Sequence, residues 1–202
     1  MTEFAGTDEV RERLNLIESM VLEGRRSTER WGWLFLLWGV AYYVAIAWTA
    51  LGRFEWAWPI TMLAALVVSA AIRLSRSGGY SRTAASRSIG LIWAAFGVSV
   101  FLLLLALGMS RRLTDAHVAF AIVAAMLGMV NGASAMILRW RLQMACAVVW
   151  WAAAVLSCYE KKLVLETPVA FLVAVFLCQI VFGVYCMMRD GRVATARGQS
   201  HA

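Results

Sequence analysis

Few uncharged polar side chains enter the long apolar runs of this sequence, and three of them are its first candidates for chemistry. Asn131 and Ser134 lie in and just after a Gly128-x-x-x-Gly132 motif, and Gln179 lies in the middle of the last apolar run. Amide and hydroxyl groups can line a cavity for a polar solute or a lipid headgroup, and they can equally hydrogen-bond neighbouring helices together. Glycines at i and i+4 let helix backbones approach closely, which favours the packing interpretation. The sequence leaves both interpretations open.

Asp115 and His117 form a second, weaker candidate at the outer end of the fourth apolar run. A metal site needs three or four ligands at workable spacing, and the other histidine, His201, is at the far end of the chain. We therefore expect an interfacial histidine that can pair with Asp115, with no metal or cofactor. The nucleophile motif G-x-S-x-G, the zinc motif H-E-x-x-H and the nucleotide motif G-x-x-x-x-G-K-[ST] are all absent. The sequence predicts a protein that is not an enzyme.

The elements that position these residues are apolar runs long enough to cross a membrane. The chain is 62% hydrophobic and 15% charged, whereas a soluble domain is closer to half apolar and a quarter charged. Six runs of about 17–23 residues match a hydrocarbon core about 30 Å thick. They cover about 31–51, 58–74, 89–109, 116–138, 142–159 and 167–188, the last opened by Thr167-Pro168 as cap and first helical residue. We predict an all-α integral membrane protein with six transmembrane helices in three antiparallel hairpins.

The distribution of charge predicts the orientation. Between the two membrane interfaces, the six runs contain no Asp, Glu, Lys or Arg, which argues against an ion-coupled transporter. With the N-terminus in the cytosol, fourteen of the 19 Lys and Arg residues fall on the inner side, and Arg25, Arg26 and Arg30 anchor the first span there. The net charge of +7 is thereby explained without a nucleic-acid partner. Both termini are predicted to be cytosolic.

Residues 1–30 predict a cytosolic amphipathic helix with a basic junction to the first span. Its apolar residues recur at helical spacing and form one stripe, consisting of Val10, Leu14, Ile17 and Val21. The stripe covers about two heptads, too few for an independent coiled coil. Three uses are open: packing along its own helix bundle, self-association, and contact with a cytosolic protein. Residues 189–202 predict a short, basic, disordered cytosolic tail.

A faint internal repeat links the first and third runs. Gly32 precedes Trp38-Gly39-Val40 by six residues, and Gly90 precedes Phe96-Gly97-Val98 by the same interval. Repeated helical hairpins of one ancestry would produce this pattern, although apolar sequences also match one another by chance. If the repeat is real, it predicts a packing signature that is used twice.

The segment from Glu18-Ser19-Met20 through Glu23-Gly24-Arg25-Arg26-Ser27-Thr28, followed by Leu36-Leu37-Trp38-Gly39, resembles a group of uncharacterised bacterial six-span membrane proteins. The resemblance implies a bacterial inner-membrane location and carries no activity. We therefore expect a non-enzymatic membrane protein embedded in the lipid bilayer, whose N-terminal helix mediates homo-oligomer formation or partner contact. The alternative is a small uniporter or channel-like carrier for a neutral or lipidic solute.

Overall fold

A computed structural model describes residues 31–52, 57–75, 84–110, 115–160, 163–164 and 167–199, together with the single positions 11, 12, 15 and 19. Those four single positions are helical. The predicted stripe of Val10, Leu14, Ile17 and Val21 and the predicted anchors Arg25, Arg26 and Arg30 lie outside the described residues.

The described chain is almost entirely helical. The helices, in chain order, are α1 (Gly32–Gly52), α2 (Ala57–Ser75), α3 (Ala84–Met109), α4 (Ala116–Leu138), α5 (Arg141–Tyr159), α6 (Val169–Val175), a π-helical segment π1 (Phe176–Val181) and α7 (Phe182–Gln199). Because α6, π1 and α7 follow one another without a break, we refer to Val169–Gln199 as the C-terminal helix. Five of the described helices, counting the C-terminal helix once, are long and apolar enough to cross a membrane, and α2 has a shorter apolar stretch, Ala57–Ile72.

Three features differ from the sequence expectations. The helix α3 begins at Ala84, five positions before the predicted run. The C-terminal helix begins at Val169 and not at Pro168, because Pro168 has the extended ψ of 136° that is typical of a capping position. Thr167–Pro168 instead pairs with Leu163–Val164 as a two-residue antiparallel ladder. The C-terminal helix also continues to Gln199, so the segment 189–199 that was expected to be a disordered tail is helical.

The helices α4 and α5 form the most extensive contact in the described structure, as a hairpin closed by Arg139 and Trp140. The backbone N–H of Trp140 donates to the carbonyl oxygen of Ala135 at 3.0 Å, and that of Arg139 to Met136 at 3.4 Å. These two bonds, with Arg139 in the left-handed conformation, make a Schellman motif. The motif satisfies carbonyl groups at the end of α4 and turns the chain directly into α5.

The C-terminal helix crosses α1 through glycines. A Cβ atom built on Gly183 would lie 2.9 Å from both the carbonyl oxygen of Gly32 and the backbone nitrogen of Leu36. One built on Gly39 would lie 2.8 Å from the Cβ of Gln179. The two helices therefore touch backbone to backbone at Gly32 and Gly183, and Gly39 touches side-chain atoms, at distances that a larger side chain would prevent.

Aromatic rings pack between the helices in two groups. One group surrounds Phe171 and comprises Tyr42, Trp58, Phe120 and Trp150. The other surrounds Phe35 and Phe182 and comprises Trp93, Phe96 and Trp140. Ring centroids lie 4.8–6.1 Å apart, mostly in edge-to-face or tilted geometry, which favours such pairs. The two groups join α1 to the helices around it.

Candidate functional site

The three polar residues singled out in the sequence are all buried. Asn131, Ser134 and Gln179 are exposed by 1%, 0% and 2%. The side-chain amide of Asn131 donates to the carbonyl oxygen of Leu127 in its own helix at 2.8 Å. Three other polar atoms of these side chains differ from this amide nitrogen. Asn131 Oδ1, Ser134 Oγ and Gln179 Oε1 have no hydrogen-bond partner among the described residues.

Three further residues on α5, which the sequence analysis missed, share this property. Gln143, Trp150 and Ser157 are each 0% exposed. Both amide atoms of Gln143, the indole nitrogen of Trp150 and the hydroxyl of Ser157 lack a partner among the described residues. Positions seven apart lie almost on one line along a helix, so the three form a stripe about 21 Å long. The seven-residue spacing is the signal that could have revealed them.

Contacts between helices show the relative positions of these residues along the axis of the helix bundle, which we call their depth. A Cβ atom built on Gly132 would lie 3.6 Å from the Cβ of Ala147, and the thiol of Cys178 donates to the carbonyl oxygen of Cys146 at 3.5 Å. Because the helices are antiparallel neighbours, these contacts put residue 134 of α4 and residue 179 of π1 at about the depth of residue 145 of α5. Ser134, Gln143 and Gln179 are therefore within about one helical turn of each other in depth. We call the full set the polar row: Asn131, Ser134, Gln143, Trp150, Ser157 and Gln179.

The segment π1 carries one member of this row. Gln179 and Cys178 are its buried residues. A π-helical segment adds one residue to a turn, which shifts the faces of the helix on either side of it, and such segments are frequent at functional sites. Gln179 lies in this segment, with its Cβ against Gly39 of α1.

Gly128 and Gly132 have a packing function. The indole of Trp151 lies directly against both positions: a Cβ atom on Gly132 would lie 3.1 Å from its Cη2 atom, and one on Gly128 would be closer still to its Cδ1 atom. The glycines therefore form a slot on α4 that accepts an α5 side chain. Gly128 and Gly132, which the sequence predicted as packing or cavity residues, therefore lie in the α4–α5 interface.

Asp115 and His117 pair at the opposite end of α4 from the hairpin. Asp115 is the N-cap, since its Oδ1 atom accepts from the backbone N–H of His117 at 2.8 Å. The Nδ1 atom of the His117 ring lies 3.1 Å from the same oxygen. In the part of the chain that the structure describes, no three His, Cys, Asp or Glu side chains are grouped closely enough to hold a metal ion.

Glu160 is a polar residue at this end that the sequence analysis passed over. Its Oε1 atom accepts from the backbone N–H of Ala170 at 2.9 Å, in the first turn of the C-terminal helix. A carboxylate at a helix N-terminus is stabilised by the helix dipole and satisfies an N–H that has no partner within the helix. Glu160 therefore joins the end of α5 to the start of the next helix, and replaces the local cap that Pro168 cannot supply.

A groove with a volume of about 660 Å³ lies at the hairpin end of the bundle. Its walls come from the α4–α5 turn, the first turns of α5 and the C-terminal helix. The lining residues are Arg139, Trp140, Arg141, Leu142, Cys146, Leu177, Val181, Phe182 and Tyr185. None of the polar row is among them, so the groove and the polar row are separate features.

Searches of protein-family models, curated proteins and solved structures find no match to this chain.

Proposed function

We propose that this chain is a non-enzymatic membrane protein of six spans that lets a small, neutral, polar solute pass along the polar row of its helix bundle. The observation that carries the proposal is the row itself: six side chains at 0–2% exposure present polar atoms without partners among the described residues. An unpartnered buried polar group costs about 1–3 kcal/mol. A row of them is favourable when water or a polar solute supplies the missing hydrogen bonds.

The chemistry of the row favours an uncharged solute. It offers amide and hydroxyl groups, which both donate and accept hydrogen bonds, and one indole N–H, which only donates. Between the two membrane interfaces the apolar runs carry no Asp, Glu, Lys or Arg, so a charged solute would find no counter-charge there. A molecule with hydroxyl or amide groups of its own, such as glycerol or urea, fits both properties.

Solute flux into vesicles tests this proposal. The full chain is reconstituted, and the shrinking and swelling of vesicles after an osmotic step with glycerol or urea is followed by light scattering. We expect faster flux than in protein-free vesicles. Gln143→Met keeps the side-chain volume and removes two buried polar atoms, so it should slow flux about fivefold, as the loss of about one hydrogen bond implies. The same variant should be at least as stable as the original chain.

Ser99→Ala is the matched control for Ser157→Ala, because Ser99 is exposed on α3 and Ser157 is buried in the row. We expect only Ser157→Ala to slow flux. Flux equal to that of protein-free vesicles for water, glycerol and urea, or an unchanged rate in Gln143→Met, would leave the row with a packing role alone.

The proposed topology has six spans with both termini in the cytosol of a bacterial cell. It includes α2, whose 19 residues extend about 28 Å. Cys158 offers a direct test, because it is exposed at the end of α5, whereas the other three cysteines are buried. A maleimide that cannot cross the membrane should label intact cells at Cys158 and should not label Cys158→Ser. Labelling of Cys158 only in opened cells would show that it faces the cytosol and that the orientation is opposite to the proposed one.

The association role of the N-terminal helix stays a prediction alongside this proposal. Its stripe lies outside the described residues. Replacing Leu14 and Ile17 together by Asp would place two charges on the apolar stripe and would change no residue of the six spans. We expect a smaller oligomer in mild detergent or the loss of a co-purifying cytosolic protein, with solute flux retained. Unchanged oligomer size and unchanged partners would end the association hypothesis and leave the flux proposal intact.

A further inference from the structure

We propose that the groove at the α4–α5 turn binds an anionic phospholipid, with the phosphate at Arg139 and Arg141 and an acyl chain along the apolar wall. The groove volume of about 660 Å³ is within the range of small-molecule sites. It contains none of the residues of the polar row, so this inference is independent of solute passage.

The first argument is the backbone of Arg139. It is the one non-glycine residue with a positive φ in the described chain, at φ 48° and ψ 42°. The left-handed conformation at the end of a helix is normally taken by Gly or Asn, because a Cβ atom is unfavourable there. An arginine in this position is a local departure from what stability alone would select, and such departures are found at functional sites.

The second argument is that the turn is rigidly supported. Trp140, between the two arginines, is 3% exposed, and its ring lies 5.3 Å from that of Phe182 on the C-terminal helix. Together with the two hydrogen bonds of the Schellman motif, this contact fixes the position of the turn. Arg139 and Arg141 flank the buried ring, and both are exposed at the groove.

The third argument is the division of the lining into a polar and an apolar part. Guanidinium groups bind phosphate with paired, charge-assisted hydrogen bonds. Among the apolar lining residues, Leu177 and Val181 expose 42% and 45% of their surface, while Cys146 and Phe182 are buried. No acidic residue lines the groove. This arrangement matches an anionic headgroup above a hydrocarbon chain, as in basic pockets between membrane helices.

Tyr185 extends the polar end of the groove. Its hydroxyl accepts a hydrogen bond from Arg189 Nη1 at 3.2 Å, one turn further along the C-terminal helix. The phenol lines the groove and holds a third guanidinium close to its edge. The basic end therefore draws residues from both the hairpin turn and the C-terminal helix.

Native mass spectrometry of the full chain, purified in mild detergent and supplied with phosphatidylglycerol or phosphatidylcholine, tests the site. We expect retention of phosphatidylglycerol in preference to phosphatidylcholine. Arg139→Gly removes a charge and places the favoured residue in the left-handed position, so it should retain or increase thermal stability while binding phosphatidylglycerol about tenfold more weakly. Arg141→Gln should weaken binding in the same direction.

Arg87→Gln is the control, since Arg87 is an exposed arginine at the start of α3 and does not line the groove. It should bind as the original chain does. Equal retention of the two lipids, or unchanged binding in Arg139→Gly, would overturn the assignment.

Discussion

Helices α1 and α3 carry the same glycine spacing and use it differently. Gly32 and Gly39 of α1 both lie against the C-terminal helix, with backbone or Cβ atoms within 3 Å of a built Cβ. At Gly90 of α3, the nearest atom is Trp31 Cη2 at 3.7 Å, and at Gly97 no described atom lies within 4 Å. Similar residues at similar spacing therefore mark a helix crossing in one place and an open surface in the other.

The difference follows from where each helix sits. In the most apolar stretch of α1, a third of the residues are buried, and the buried residues cover most of the helix length. In the corresponding stretch of α3 only 6% of the residues are buried, and Ile89 is the buried residue in the described part of this helix. A glycine makes a close crossing only where a second helix is present to approach it. The glycine pattern identifies a helix that another helix can approach closely. Whether a close contact forms depends on whether a second helix lies against those glycines.

The largest effect should come from the backbone crossing of α1 and the C-terminal helix. Gly183→Val would force side-chain atoms against the Gly32 carbonyl and the Leu36 nitrogen, neither of which can rotate away. We expect a loss of about 3 kcal/mol, at the upper end for overpacking, measured as unfolding in mixed micelles. Gly32→Ala combined with Gly183→Ala should lose less than the sum of the two single changes, since both disturb one contact. An unchanged midpoint in Gly183→Val would show that the helices are not in contact.

Much of this architecture could be predicted from the sequence, because the hydrophobic runs define the helices without reference to their neighbours. The runs at 31–51 and 116–138 agree with α1 and α4 within one residue. The groove could not be predicted in this way. It depends on Arg139 entering the left-handed conformation and on Trp140 meeting Phe182 from a distant segment. Gln143 and Ser157 were missed because polar residues are ordinary near a helix end. Their spacing of seven residues from Trp150 is visible in the sequence, but their burial is not.

A smaller effect is expected at Gly39, where a side chain rather than the backbone is the neighbour. A Cβ atom there would meet Ile180 Cδ1 at 2.7 Å, which can rotate, and the Cβ of Gln179 at 2.8 Å, which cannot. Gly39→Ala should therefore cost about 2 kcal/mol in the same unfolding measurement. Because Gln179 belongs to the polar row, Gly39→Ala should also change the rate of solute flux. A flux change without a stability change would mean that π1 moves aside freely.

Gly128→Ala should be milder still, at about 1 kcal/mol. Its clash is with the ring of Trp151, which is 40% exposed and can swing away from α4. Gly128→Ala combined with Trp151→Leu should restore most of the lost stability, and a double-mutant cycle would measure this coupling. If Trp151→Leu gives no rescue, the helix backbones themselves must be in contact at Gly128, as they are at Gly32 and Gly183.

The smallest effect should be at Gly97, and it should have the opposite sign. Alanine favours a helix over glycine by up to about 1 kcal/mol, and here it meets no described atom within 4 Å. Gly97→Ala should therefore leave stability unchanged or raise it slightly, and Gly97→Leu should be tolerated in the same assay. Oligomer size should be measured in parallel by light scattering in mild detergent. If Gly97→Leu is destabilising and also reduces the oligomer, a second copy of the chain covers α3. The spacing shared with α1 would then mark a helix crossing in both places, within one chain at Gly32 and between two chains at Gly97.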